Sequence, residues 1–344
     1  MDFFSRDEFL ADIYRGKDGL SCHPNSPMGG GGCFGASLMP GPLGLTSPSG
    51  LFGSSFPHPL SPSARLLTPQ QIEKAFSSKS FGVANIPSVM REKMAWPKSA
   101  ALMDLWLNAP TRVMTAAEKS GETRAIDYPT KHVSKELITV DWLLKFKSAA
   151  DGYSDLLTKF NTRKAVARLK EIIRSRAGLP GSGSVPISNV LDPVELHSTW
   201  QFQLQNVGFD LFAGLDDLYG SLGRFAWYAA VVEAIYTAPA KGSPGSFNVS
   251  KVGIYVRDTF DFNGGQYLGH WNEKGVRIDK VAALGVAVNS EFECDWPMDG
   301  GTLGRLQPIN NSDFNSYRDK NKKGGDLLVF SDVRVENVAI EIKL

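Results

Sequence analysis

Apolar positions recur along this chain in two periods, first every three to four residues and later every second residue. The helical period comes first. Thr68 followed by Pro69 reads as an N-cap with proline at the first helical position, which predicts a helix over 69–77. Between Pro87 and Pro97, the residues Val89, Met90, Met94 and Trp96 predict a short helical turn or two. Ala100, Leu102, Met103, Leu105, Trp106 and Leu107 predict a buried helix ending before Pro110. Ile138, Val140, Trp142, Leu144 and Phe146 alternate with Thr139, Asp141 and Lys145, which predicts a half-buried strand over 138–146. Helices are then expected at 153–160 and 163–176, the second ending at Gly178, with a loop from Pro180 to Pro186.

From about residue 195 the period becomes two. Trp200, Phe202 and Leu204 alternate with Gln201, Gln203 and Gln205. The aromatic and β-branched run at 222–237 favours a strand. Val252, Ile254 and Val256 form another, and Tyr267 to Trp271 follows a turn-forming Asn263–Gly264–Gly265. Leu327 to Phe330, Val333 to Val335 and the face Val338, Ile340, Ile342 and Leu344 close the chain, with a change of parity between Val335 and Val338 that predicts a bulge. The fold class that follows is α+β: a helical N-terminal part packed on a mostly antiparallel sheet in the C-terminal half.

The first 65 residues differ in kind. Met1 to Tyr14 carries four acidic residues and an apolar side made of Phe3, Phe4, Phe9, Leu10, Ile13 and Tyr14, and has no signal-peptide core. Residues 15–65 contain the run Gly29 to Gly32 and six prolines between Pro40 and Pro62, a composition that favours a flexible segment. The expected organisation is therefore a flexible Gly/Pro-rich segment over 1–65 and a composite α+β domain over 66–344, helix-rich at 66–180 and β-rich at 195–344.

Charge and cysteine narrow the classes. Lys and Arg number 37 against 36 Asp and Glu, so a histone-like basic surface and an acidic tail are both disfavoured. The helix at 163–176 concentrates Arg163, Lys164, Arg168, Lys170, Arg174 and Arg176 beside Lys159, but no aromatic interleaves them, and no nucleic-acid partner is expected. Cys22, Cys33 and Cys294 do not form a disulfide framework or a zinc pattern. No apolar run is long enough for a stable membrane span.

The densest polar cluster is RDTFDFNGGQYLGHW, containing Arg257, Asp258, Asp261, Asn263, Gln266 and His270. Asp258 and Asp261 are spaced to share acid and base work, or to bind a divalent metal with Asn263; a capped turn neutralised by Arg257 is the competing reading. A hairpin through Asn263–Gly264–Gly265 places His270 beside the two carboxylates. Asp326, at the start of a later strand, completes the expected catalytic group of Asp258, Asp261, His270 and Asp326. Gln201, Arg257, Gln266 and Asp332 are the expected substrate-binding residues. The GxSxG elbow and the HExxH motif are both missing, and Cys294 sits between Glu293 and Asp295, which disfavours a reactive thiolate.

The segments IPSVMREKMAWPKSAALMDLW, TWQFQ, DDLYGSLGRF, GIYVRDTFDFNGGQYLGHWN and NSDFNSYRDKNKKGGDLLVFSDV together resemble the bacterial family known as domain of unknown function 6402. The resemblance covers roughly residues 80 to 335. It implies a protein that accompanies type VI secretion spike and tip components, as cargo, toxin or associated factor. It brings no reaction, and marks only a candidate surface of Gln201, Asp217, Tyr219, Arg257, Asp258, Asp261, Gln266, Asp326, Ser331 and Asp332. The expected function is an antibacterial effector of unknown biochemical activity, with hydrolysis as the reaction class considered, held in the bacterial cytoplasm before export and secreted into a target cell. Its expected partners are spike or tip proteins and a cognate immunity protein. The alternatives are a non-enzymatic adaptor docking on the spike and an effector that inserts into a membrane.

Overall fold

Proline opens the helices where the helical period first appears. The computed structural model describes residues 81–175, 183–186, 191–208, 215–242, 244–264, 266–278, 294–298 and 301–344. The segment 1–65, the helix expected at 69–77, Cys22 and Cys33 lie outside the described residues.

The helices are α1 (Ile86–Glu92), α2 (Pro97–Asn108), α3 (Ala116–Ser120), α4 (Val140–Leu143), α5 (Lys147–Leu157), α6 (Arg163–Ser175), α7 (Pro193–Thr199), α8 (Asp217–Ser221) and α9 (Asn311–Asn321). Pro97 and Pro193 each stand at the first helical position, where the missing N–H costs nothing. Asp192 caps α7 by accepting from the Val194 and Glu195 amides. The strands are β1 (Val133–Ile138), β2 (Gly183–Pro186), β3 (Gln201–Val207), β4 (Phe225–Thr237), β5 (Ser246–Phe260), β6 (Tyr267–Asn272), β7 (Gly275–Arg277), β8 (Cys294–Met298), β9 (Gly301–Asn310), β10 (Leu327–Ser331) and β11 (Arg334–Lys343).

The main sheet runs β1-β10-β5-β4-β2, with β11 also on β5 and β3 also on β4. Its branching follows from length. β5 has 15 residues and β4 has 13, so each is longer than any partner except the other. Along one edge of β5, Arg257 to Phe260 pair with β10 and Ser246 to Ile254 pair with β11. Phe225 to Ala230 of β4 pair with β3, and Glu233 to Tyr236 with β2. Every pair is antiparallel except β1 with β10. The fold is thus α+β, with helices leading and a mostly antiparallel sheet following.

Opposite faces of this sheet are covered by different helices. On one, Trp227 donates its indole N–H to the Ala149 carbonyl of α5 at 2.9 Å, and a Cβ on Gly152 would lie 2.6 Å from Val207. On the other, Leu196 of α7 packs over Gly253, where a Cβ would meet it at 3.3 Å. A second, four-stranded sheet runs β7-β6-β9-β8.

Three expectations are corrected. The strand expected at 138–146 is instead the end of β1 followed by α4. Thr139 caps the Trp142 amide, and Asp332 accepts from the Val140 amide at 2.6 Å, so polar caps turn the chain into a helix. Val140 and Leu143, three apart on the helix, are both buried. The loop expected from Pro180 to Pro186 contains β2, which ends on Pro186 at a sheet edge, where proline is tolerated. The turn at Asn263–Gly264–Gly265 does not close a hairpin: β5 belongs to the main sheet and β6 to the second one. The expected bulge near Val335 to Val338 is a register shift between Asn337 and Ile340.

Candidate functional site

Asp326 is fully buried just ahead of β10, and its carboxylate is filled by donors. Trp106 Nε1 at 3.1 Å, the Met114 amide at 2.8 Å, Asn263 Nδ2 at 2.8 Å and Arg318 Nη2 at 2.6 Å all converge on it. Four donors on two oxygens occupy its accepting capacity. This carboxylate therefore ties α2, the loop after α2, the end of β5 and α9 into one core.

Asn263 extends that network. The same Nδ2 donates to Asp261 Oδ1 at 2.8 Å, so Asp261 and Asp326 share one amide. Asn311 of α9 fixes the Asn263 carbonyl at 2.7 Å, and Gly264 takes a left-handed turn at φ +83°. Asp261, fully buried, also receives Lys119 Nζ from α3 at 2.5 Å. Burial raises a carboxyl's proton affinity, but surrounding positive charge, Lys119 included, wins here and holds Asp261 down at about 2.

Asp258, three residues earlier on β5, is in the opposite state. The residue is partly exposed, yet its Oδ2 is shielded from solvent and has no hydrogen-bond partner. Desolvation, reinforced by the Asp261 charge, pushes it up to about 7. Two carboxyls near one strand end thus differ widely in proton affinity, the pattern that separates an acid from a permanently charged partner.

Arg257 lies on the other face of β5, the face covered by α7. Register places Tyr228 opposite Tyr255, and Arg257 opposite Phe330. His197 from α7 completes this floor. Its Nδ1 faces the Tyr255 hydroxyl at 3.2 Å, and its ring meets Tyr228 edge-on at 4.8 Å. Burial first, and the Arg257 charge second, drive His197 down to about 3, so it is neutral. Burial raises Tyr228 and Tyr255 against the pull of Arg257, so both keep their hydroxyl protons. His197 and Tyr228 are half-buried, and Tyr255 and Arg257 are buried. Of this group the expected candidate set included Arg257 but not His197, Tyr228 or Tyr255. Tyr255 and Arg257 are visible as alternate residues of GIYVRD, but the approach of His197 depends on where α7 crosses the sheet.

The remaining expected residues are dispersed. His270 is buried in β6 of the second sheet, with Tyr267 as a hydrogen-bond partner, and forms no hydrogen bond with Asp258, Asp261 or Asp326. The hairpin expected to bring His270 to those carboxylates does not form, since β5 and β6 belong to different sheets. Gln201 bonds the Gln203 carbonyl on β3, and its neighbour Gln203 reaches the Lys159 carbonyl at 2.9 Å. The Gln266 carbonyl accepts from the Asn311 amide at 2.8 Å. Asp332 caps α4. Asp217, from the DDLYGSLGRF segment, accepts from the Ser99 amide and hydroxyl at 2.8 Å, anchoring α8 to the start of α2.

Among the described residues, no group of three or more His, Cys, Asp or Glu side chains is placed to hold a metal ion. No helix among them is long and apolar enough to cross a membrane. Neither a curated protein nor a solved structure matches the chain. One family does, described as a family of unknown function (DUF6402), and its match runs over residues 81–344. That span includes both sheets, the Asp326 network and the Arg257 floor, and the chain belongs to this family of unknown function.

Proposed function

We propose that this protein is a secreted antibacterial effector, cargo of a type VI secretion machine, with a hydrolytic site at Asp258 and Asp261. The delivery part rests on the motifs shared with family 6402, whose members accompany spike and tip components. The chemical part is carried by one observation: Asp258 Oδ2 is buried without a partner, while Asp261 nearby is fixed by Lys119 and Asn263. A shielded carboxyl oxygen left without a partner beside a firmly paired carboxylate is a group available to a substrate. In this reading Asp258 supplies the proton and Asp261 remains charged.

The test is toxicity in a target cell. Asp258→Asn is nearly isosteric and removes the proton donor. It should abolish toxicity at unchanged export and with the fold intact. Full toxicity of a stably exported D258N protein would discard the hydrolytic reading.

The adaptor reading, in which the chain docks on the spike without catalysis, has support of its own. Asp217, Asp326 and Asp332 all occur in the shared motifs, and all three hold backbone or core together. An adaptor would remain competent for export of a partner when Asp258 is changed, which separates the two.

A further inference from the structure

The described residues include two deeply buried arginines, treated in opposite ways. Arg318 is 3 % exposed and Arg257 8 %. Arg318 pairs with Asp326 at 2.6 Å and donates to the Gly324 carbonyl at 2.9 Å. Arg257 has no ion pair among the described residues. Its one well-formed hydrogen bond runs from Nη2 to the Glu118 carbonyl at 2.9 Å, and its Nε is buried with no acceptor.

A guanidinium carries five N–H donors and cannot lose its charge. Burying it without a counter-ion is costly, because the water it gives up is not replaced. Among the described residues, none on its own sheet face replaces that water with negative charge. His197 is neutral, and Tyr228 and Tyr255 keep their protons. The nearest carboxyl in the chain, Asp258, alternates to the opposite face of β5. Gly121 stands beside the guanidinium; a Cβ there would lie 4.0 Å from Nη2, so bare backbone rather than a side chain borders the arginine on that side.

We propose that Arg257, with the Tyr228 hydroxyl beside it, is the receptor for an oxyanion, a phosphoryl or carboxylate group. The site is on the face of β5 opposite to Asp258 and goes beyond the hydrolytic reading; it stands on the buried guanidinium that no described carboxylate pairs. The planar fork matches both groups through two parallel N–H bonds, and a tyrosine hydroxyl adds a third donor. The bound anion supplies the counter-charge that Arg318 receives from Asp326.

The test uses the full chain and small anions. Inorganic phosphate and acetate are titrated by calorimetry near pH 7.5, against chloride at matched ionic strength. Saturable binding of either, with chloride inert, is expected; phosphate alone identifies a phosphoryl group and acetate alone a carboxylate. Arg257→Gln should weaken that binding at least tenfold, and Arg257→Lys, which keeps the charge without the fork, should fall between. If R257Q does not fold, Tyr228→Phe removes one donor and should weaken binding several-fold. Lack of saturable binding, an equal response to chloride, or wild-type affinity in a folded R257Q protein overturns the proposal. Should R257Q not fold, wild-type affinity in Y228F overturns it in the same way. Anion binding that persists in a fully toxic D258N protein leaves the receptor standing while the hydrolytic reading falls.

Discussion

Lys119 Nζ sits 2.5 Å from Asp261 Oδ1 and thereby joins α3, a helix without a buried residue, to the end of the longest strand. The segment from Thr115 to Arg124 buries nothing, and among the described residues its long-range hydrogen bonds are this ion pair and the Glu118 carbonyl on Arg257. Such a segment has few apolar contacts to lose when it opens.

The first prediction follows from that pair. Asp261 titrates at about 2 in the folded protein, below its ordinary 3.8. A depressed carboxyl contributes stability above its unfolded value, and the contribution is lost as pH falls through 4 towards 2. The total is about 2 kcal/mol. Lys119→Met should remove part of it and flatten the acid limb. Urea unfolding of both proteins between pH 5 and 2.5 measures this, and identical slopes would refute the assignment.

Asp326 makes a contrasting prediction. Asp326→Asn leaves Arg318 buried beside a neutral amide. Breaking a buried pair by removing one partner costs about 3–5 kcal/mol. Chemical denaturation should show a loss of that size, together with any loss of activity. A D326N protein of wild-type stability with toxicity abolished would mean that Asp326 is chemical rather than structural.

Gly152 tests how α5 sits on the sheet. Helix propensity alone favours alanine over glycine by about 1 kcal/mol. Here the added Cβ would stand 2.6 Å from Val207 and 3.4 Å from Trp227. Overpacking of that kind costs about 1–3 kcal/mol, so Gly152→Ala should destabilise on balance. Val207→Ala in the same chain should recover part of the loss, read as non-additivity in a double-mutant cycle. Strict additivity would show that the close approach is relieved elsewhere.

Much of the sheet was legible in the chain because β4, β5 and β6 carry aromatic and β-branched residues. The error at 138–146 has a local cause. Ile138 and Val140 are buried on either side of Thr139, and only the cap formed by Thr139 and Asp332 decides for a helix. Asp332 is 192 residues away from Val140, beyond any local pattern. The carboxylates at 258 and 261 were legible as a pair for the same reason that their difference was not. Spacing is local, but Lys119 reaches Asp261 across 142 residues. The isolation of Arg257 was the least visible property, since a sequence records which charges exist and not which of them meet.

Asp258 supplies the last prediction, opposite in sign to the first. Its carboxyl titrates at about 7 in the folded protein and near 3.8 when unfolded. A group whose folded value is raised contributes stability that is fully present below the unfolded value and is lost as pH rises through the folded one. At pH 8 the wild type therefore holds an ionised, shielded carboxylate with an unpartnered oxygen. The difference of about three pH units corresponds to about 4 kcal/mol as an upper figure, and relaxation of a partly exposed residue lowers it. Asp258→Asn carries no charge at any pH. It should match the wild type at pH 4 and exceed it by about 2 kcal/mol at pH 8. The measurement is the midpoint of urea unfolding at the two values. A stability gap that does not change between pH 4 and pH 8 would place the Asp258 carboxyl in contact with water or a donor, and would remove the basis for giving it the proton in catalysis.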